Sequence, residues 1–583
     1  MNYPSRPEQE GPGFDQNPSS LSAGIATGHD LNPIVLGEVR ENEIANVGFG
    51  YPDGSNGGEH GEKKEAVRER AEAVLGQMTE LATRDANGSD DETRGGGERW
   101  VYVSMKCLLK VRDMVVKFGT FVGPGFMIAV AYIDPGNYST DVAAGATYRF
   151  KLLFIVMMSN VFAVFLQSLC IKLGSVSGLN LAEACRKFLP RWLNISLYIM
   201  AEAAIIATDI SEVIGTAIAI NLLIPKIPLV AGCALSICDV MLILLFYRPG
   251  GSMKGLRAFE MFVIALVMGV VICFCIQLSM IKDTSVGEVF RGFLPSSAII
   301  QSQGLYQACG ILGATVMPHS LYLGSGIVQA RLQEYDVKAG LAPASTFNHS
   351  DEQKYQPSLP AIKFCLKYSV AELSITLFTL ALFVNSAILI VAGASLSSVN
   401  SAANADLFGI YDLLSTSLAP AAGTIFALAL LLSGISAGII CTIAGQMVSE
   451  GALNWSLAPW LRRLVTRSIS ITPSIIIAGS VGREGLNAAL NGSQVALSVV
   501  LPFVSAPLIY FTCRNKYMTV WGSRHGENTT SSGVVGEVRN GTPVEGVKMR
   551  NHWVTTGFAV LVWLVITVMN IANLVLLGKG QGA

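Results

Sequence analysis

Val130-Ala-Tyr-Ile-Asp-Pro-Gly-Asn137 interrupts an apolar run spanning about 118–146, and Gly313-Ala-Thr-Val-Met-Pro-His319 interrupts another spanning about 302–332. Each places a proline in the middle of a stretch long enough to cross a bilayer. Proline has no backbone N–H, so the carbonyl four residues earlier loses its helical partner. Counting back from Pro135 gives Ala131, and from Pro318 gives Ala314. In hydrocarbon a free carbonyl is costly unless it lines a cavity or meets a ligand.

Working outward from these breaks, eleven apolar runs reach membrane length. They lie near 118–146, 151–174, 194–222, 227–247, 257–281, 302–332, 363–394, 419–449, 464–482, 492–514 and 553–578. About 20 helical residues cross a hydrocarbon layer of about 30 Å. The broken runs are the first and the sixth, so five spans separate them. Broken helices at matching positions of two five-helix halves point to a transporter built from inverted repeats with its site at the midplane. Repeat one then covers about 118–281, repeat two about 302–514, and an extra helix about 553–578.

Composition agrees with a polytopic membrane protein. Of 583 residues, 51% are hydrophobic and 14% charged, against about 25% charged in soluble domains. Soluble enzymes, nucleic-acid binders and secreted disulfide scaffolds are excluded on that ground. Residues 1–100 carry a net charge of −10 and the rest +9. The tail's glycine, serine and acidic content predicts disorder, relieved by one heptad-spaced segment through Val67, Ala71, Val74, Met78 and Leu81. Two heptads are too short to stand alone. With this tail in the cytosol, inside connections hold 21 Lys and Arg against 7 outside. That bias predicts a cytosolic N-terminus and a C-terminus on the opposite side. The eleven cysteines form no CxxC pair and read as small apolar residues.

The breaks offer a cation several donors. Beside the carbonyls of Ala131 and Ala314 stand the Asp134 carboxylate, the Asn137 amide oxygen and the Met317 thioether. A mid-membrane carboxylate is costly and by default functional. Met317 is one of 18 methionines, most of which fill apolar helices, yet its place beside Pro318 favours a ligand role. A thioether selects softer divalent ions such as Mn²⁺, Fe²⁺, Co²⁺ or Cd²⁺ over Ca²⁺ and Mg²⁺.

Glu202, Asp209 and Glu212 fall at i, i+7 and i+10 of the third span, on one face, and a carboxylate stripe in a membrane helix marks an ion or proton path. His319 is either a proton-handling group or a satisfied structural donor. Arg467 is either the stripe's partner or a positive-inside anchor. Gln494 and Glu372 each need a partner that the sequence does not name. Gly434-Ile-Ser-Ala-Gly438 matches a nucleophile elbow in letters but lies inside an apolar helix, so it reads as close helix packing. Of the Asn-x-Ser/Thr triplets, that at Asn491 falls near an outside connection.

Taken together, Asp134-Pro-Gly-Asn137, Ala207-Thr-Asp-Ile-Ser-Glu212, Gly313-Ala-Thr-Val-Met-Pro-His319, Gly445-Gln446, Arg462-Arg-Leu-Val-Thr-Arg467 and Ser493-Gln-Val-Ala-Leu-Ser498 resemble the natural resistance-associated macrophage protein (Nramp) family, in its yeast manganese and iron branch. The resemblance covers roughly 110–578 and leaves out the acidic tail. It implies an all-α, leucine-transporter-like fold of two inverted five-helix repeats plus an eleventh transmembrane helix. It implies import of Mn²⁺ and Fe²⁺ with protons into the cytosol, with no cofactor beyond the transported ions. Asp134, Asn137, Met317 and the carbonyls of Ala131 and Ala314 would hold the metal, with Gln494 completing the shell in some states. Asp209, Glu212, His319 and Arg467 would carry protons. Two rivals stay open: a metal-sensing receptor signalling through its tail, and a sodium-coupled organic-solute symporter on the same fold. The address is a plasma, endosomal or vacuolar membrane, and the tail is compatible with trafficking or ubiquitination partners.

Overall fold

The structure is a computed structural model, described here for residues 124–237, 253–281, 284–342, 355–396, 406–417, 419–454, 459–520 and 546–580. The acidic tail, its heptad segment and most of the fourth span's second half lie outside the described residues.

The described chain is almost wholly helical. Span 1 is two helices, Pro124–Val130 and Pro135–Tyr148, and span 6 is likewise Ser302–Thr315 and Pro318–Lys338. Spans 2, 3 and 5 are Leu153–Ser177, Arg191–Leu223 and Met253–Met280. Span 4 is described from Leu229–Leu235. Span 7 runs from Leu359 to Leu396 through a π-turn at Leu377–Ala381. Spans 8 to 11 are Pro420–Leu453, Pro459–Ser480, Arg483–Thr512 and Trp553–Gly578. Short helices that the hydropathy reading omits, such as Leu181–Phe188 and Leu407–Ser417, occupy connections. The first of these is fixed by a capping box between Asn180 and Glu183, which satisfies two orphan helix-end donors reciprocally.

Both breaks form for the reasons the sequence supplies. Asp134 and Met317 are extended N-caps, and the prolines occupy the first position of the following helix, where a missing N–H costs nothing. Before the first break the helix tightens, with Ala131, Tyr132 and Ile133 each donating to the carbonyl three residues back.

Packing follows a twofold exchange. Exchanging spans 1–5 with 6–10 turns one set of neighbours into the other. Pro135–Tyr148 lies on span 7 as Pro318–Lys338 lies on span 2; span 3 meets span 10 as span 8 meets span 5; span 3 lies against span 8. Five crossings separate the copies, so they enter the membrane from opposite sides. This is the leucine-transporter-like arrangement of two inverted repeats, with span 11 packed on spans 10 and 6. The face of span 11 bearing Leu561, Val568, Ile571 and Val575 is exposed and suits lipid rather than water.

Glycines set the closest approaches at the breaks. A Cβ on Gly215 of span 3 would lie 2.2 Å from the Pro135 ring, and one on Gly434 of span 8 would lie 2.7 Å from Thr216 Oγ1, so Gly434-Ile-Ser-Ala-Gly438 is indeed a packing surface. A Cβ on Gly313 would lie 2.0 Å from the Gln494 carbonyl and 2.7 Å from the Ser498 nitrogen. Those neighbours are backbone and cannot rotate away. Gly313→Ala is therefore expected to destabilise the protein by about 1–3 kcal/mol through overpacking, readable as a lowered thermal midpoint in detergent.

Candidate metal centre

Apart from Glu202 of the carboxylate stripe, every residue expected to hold the metal or carry protons is buried. Asp134 is 0% exposed, Asn137 and Met317 1% each, and Gln494 0%. Asp134 Oδ1 accepts from the Asn137 backbone nitrogen at 2.9 Å, capping the helix after the break, while its Oδ2 has no hydrogen-bond partner among the described residues. Asn137 donates Nδ2 to the Tyr132 carbonyl at 2.9 Å. Of the carbonyls released by the first break, Tyr132 O also receives Asn385 Nδ2 at 3.1 Å and Ile133 O receives Ser433 Oγ at 2.7 Å. No hydrogen bond among the described residues reaches Ala131 O or Ala314 O.

The two breaks are joined in three ways. Tyr132 OH and Ser320 Oγ lie 3.2 Å apart, and Gln167 Nε2 of span 2 donates to both at 2.9 Å. Gln494 of span 10 lies against both: its amide fills the space above Gly136 and its carbonyl abuts Gly313. Each half of span 1 also packs on the opposite-lying half of span 6. Ser320 further donates Oγ to the Met317 carbonyl at 2.8 Å, holding the second break open on its own N-terminal side.

The resulting polar inventory is lopsided. The nitrogens of Asn137, Asn385 and Gln494 are all engaged. What is left over is oxygen: among the described residues, Asp134 Oδ2, Asn385 Oδ1 and Gln494 Oε1 are buried without hydrogen-bond partners, together with Ala131 O. Surplus buried acceptors are costly, and a cation is the ligand that satisfies acceptors only. Asn385, Tyr132, Gln167 and Ser433 belong to this centre but were not singled out from the sequence. Asn385, Gln167 and Ser433 are polar groups inside apolar runs, which in a membrane helix is itself a signal. Asn385 also follows closely after the π-turn of span 7, a distortion frequent at functional sites.

A second cluster adjoins the first. Arg467 of span 9 donates Nη1 to Asp209 Oδ1 at 2.5 Å and to Glu212 Oε2 at 3.2 Å, and Ser470 Oγ donates to Asp209 Oδ2 at 3.1 Å. This resolves the sequence alternatives for Arg467 in favour of pairing with the stripe. Glu202 is only partly buried. His319, 1% exposed, places Nδ1 at 3.4 Å from Thr208 Oγ1, one residue before Asp209. The chain Asp134-to-Met317 region, His319, Thr208 and the Asp209–Arg467–Glu212 trio thus runs from span 6 to spans 3 and 9. Glu372, the other residue left without a role, accepts from the Gly125 nitrogen at 3.1 Å and so ties span 7 to the start of span 1. Asn491 lies within the span 10 helix and accepts from Ser139 Oγ at 2.8 Å, a hydrogen-bonded helical setting. The nine described cysteines are free thiols.

Fold and site together define a multi-pass integral membrane protein with discontinuous helices around a buried, acceptor-rich centre, the architecture of a membrane transporter. Residues 125–536 match the family model described as natural resistance-associated macrophage protein-like. The chain belongs to the Nramp family, whose members are transporters rather than enzymes. It is 53% identical to the manganese transporter SMF1 of Saccharomyces cerevisiae over 516 residues, covering 82% of this chain and 89% of that one. It is 54% identical to the iron transporter SMF3 of the same yeast over 418 residues, covering 71% and 85%. A solved manganese transporter of Eremococcus coleocola, crystallised with an aromatic bis-isothiourea substituted compound, superposes with a TM-score of 0.62 at 32% identity, covering 78% of this chain and 85% of that one.

Proposed function

We propose that this protein imports divalent transition metal ions, Mn²⁺ and Fe²⁺ foremost, into the cytosol together with protons, by alternating access around a fixed midplane site. The single observation that carries the reading is the surplus of buried oxygens at the two breaks, with the side-chain nitrogens of Asn137, Asn385 and Gln494 already paired. The relatives' names, manganese transporter and iron transporter, agree with the chemistry. Asp134, Asn137, Met317 and the carbonyls of Ala131 and Ala314 hold the ion, with Gln494 closing the shell. Asp134 supplies the charge, and Met317 supplies the preference for softer ions. The Asp209–Glu212–Arg467 trio with His319 provides the proton route, because carboxylates buried in a membrane helix beside a histidine are the groups suited to it. The acidic N-terminal end lies in the cytosol on the positive-inside argument.

Met317→Ala is expected to leave Mn²⁺ uptake measurable while letting Ca²⁺ compete about tenfold better, a difference of about 1.4 kcal/mol. Radiolabelled Mn²⁺ uptake into metal-starved cells, with Ca²⁺ as competitor, reads this directly. Unchanged selectivity would show that the thioether does not face the ion. The receptor alternative predicts that removing residues 1–100 abolishes output, whereas a transporter keeps its flux. The solute-symporter alternative conflicts with Asp134, which would repel the carboxylate of an amino acid.

A further inference from the structure

Asp141 has no role in the site described above. It lies in Pro135–Tyr148, seven residues beyond Asp134, on the side of the break away from the chain's N-terminus. It is 1% exposed, and among the described residues neither carboxylate oxygen has a hydrogen-bond partner. Asp134, Asn137, Tyr138 and Asp141 stand at i, i+3, i+4 and i+7, which is one stripe of the helix. Seven residues of rise put the two carboxylates about 10 Å apart. Between them the Tyr138 ring is packed by Phe274 of span 5 and Phe426 of span 8, at centroid distances of 5.6 and 5.8 Å. All three rings are buried. An ionised carboxylate buried without a partner is strongly disfavoured, so a fold that needs no cation here has every reason to place another residue at this position.

We propose that Asp141 is an outer station for the transported divalent cation, filled when the outer half of the protein opens and separated from the midplane site by the Tyr138–Phe274–Phe426 cluster when it closes. Both oxygens are free to bind one ion, and the stripe leads from them past Tyr138 to Asn137 and Asp134. The inference rests on the transport reading and the cytosolic placement of the N-terminus. It adds a second anionic step on the entry path, one that raises the local concentration of cations before the selective site is reached.

The test compares wild type, Asp141→Asn and Asp141→Glu in sealed vesicles of both orientations, with Mn²⁺ offered to one face at a time. Under the proposal Asp141→Asn raises KM for Mn²⁺ at the outer face about tenfold, leaves KM at the cytosolic face within about twofold, and Asp141→Glu restores the outer value. An unchanged outer KM overturns the proposal. So does an equal rise at both faces, which marks a structural role, and so does a change confined to the pH profile with KM for Mn²⁺ intact, which marks a proton carrier. Should Asp141→Asn fail to reach the membrane, Asp141→Glu and Asp141→Ser are judged by the same asymmetry. Wild-type vesicles that take up Mn²⁺ from neither face would refute the transport reading itself, an outcome distinct from the failure of Asp141 alone.

Discussion

Asp134→Asn is expected to lower Mn²⁺ uptake by at least about a hundredfold, while the protein still folds and reaches the membrane. The substitution keeps the shape of the side chain and an oxygen able to accept from the Asn137 nitrogen, the bond that caps the helix after the break. What it removes is the charge, and Asp134 is the only carboxylate within either break segment, Val130–Asn137 or Gly313–His319. The other proposed donors are amides, carbonyls and a thioether, which cannot offset a divalent charge where water is scarce. Losing about 2.7 kcal/mol of ion stabilisation corresponds to a hundredfold, and the loss of a charge-assisted contact in a dry site is of that size or larger. Uptake of radiolabelled Mn²⁺, normalised to surface expression, measures it. A variant that still transports at the normal rate would mean that the ion passes elsewhere.

Arg467→Ala carries the second large effect, on stability as well as flux. Arg467 is 2% exposed and holds both Asp209 and Glu212. Removing it strands two carboxylates in a low-dielectric interior, and breaking such a buried pair costs about 3–5 kcal/mol. A neutral triple variant, Arg467→Met with Asp209→Asn and Glu212→Gln, removes the stranded charge and is expected to regain most of that loss. If the trio is the proton route, the triple variant regains its thermal midpoint but not proton flux accompanying Mn²⁺. Recovery of proton-coupled uptake would reduce the trio to a structural clasp.

The sequence made the fold readable because membrane helices announce themselves by length and because proline acts locally. Pro135 and Pro318 mark the breaks unaided, and the five-span interval implies the twofold exchange that the packing of spans 2 and 7 displays. Boundaries were blurrier. Span 7 begins at Leu359 instead of near 363, span 9 at Pro459 instead of near 464, and span 10 at Arg483 instead of near 492. Only eight of the described helices are long and apolar enough to count as spans by themselves. The first escapes that criterion because its break separates two short helices, the fourth because it is described as a helix only over Leu229–Leu235, and the ninth because its apolar part is short.

The candidate site is legible where its residues are neighbours in the chain and opaque where they are not. Asp134, Asn137, Met317 and the two released carbonyls follow from reading each break, and Asp209 with Glu212 from helical periodicity. Asn385 reaches Tyr132 from 253 positions away, Gln167 from 35, and Ser433 reaches Ile133 from 300. No local pattern ties such pairs together. Their common logic appears only in space: side chains from spans 2, 7 and 8 satisfy the carbonyls and hydroxyls that the break exposes, leaving a few chosen oxygens unsatisfied. Asp141 shows the same limit from the other side, since its lack of partners is a property of the packed structure alone.

The claim on which the account turns is that both breaks contribute to one ion site. X-ray absorption at the manganese edge, on purified protein loaded with one equivalent of Mn²⁺, tests it most directly. The account predicts a first shell of oxygens with a single sulfur, and the sulfur vanishing in Met317→Ala while the oxygens remain. A shell of oxygen alone in the wild type, unchanged by Met317→Ala, would contradict it.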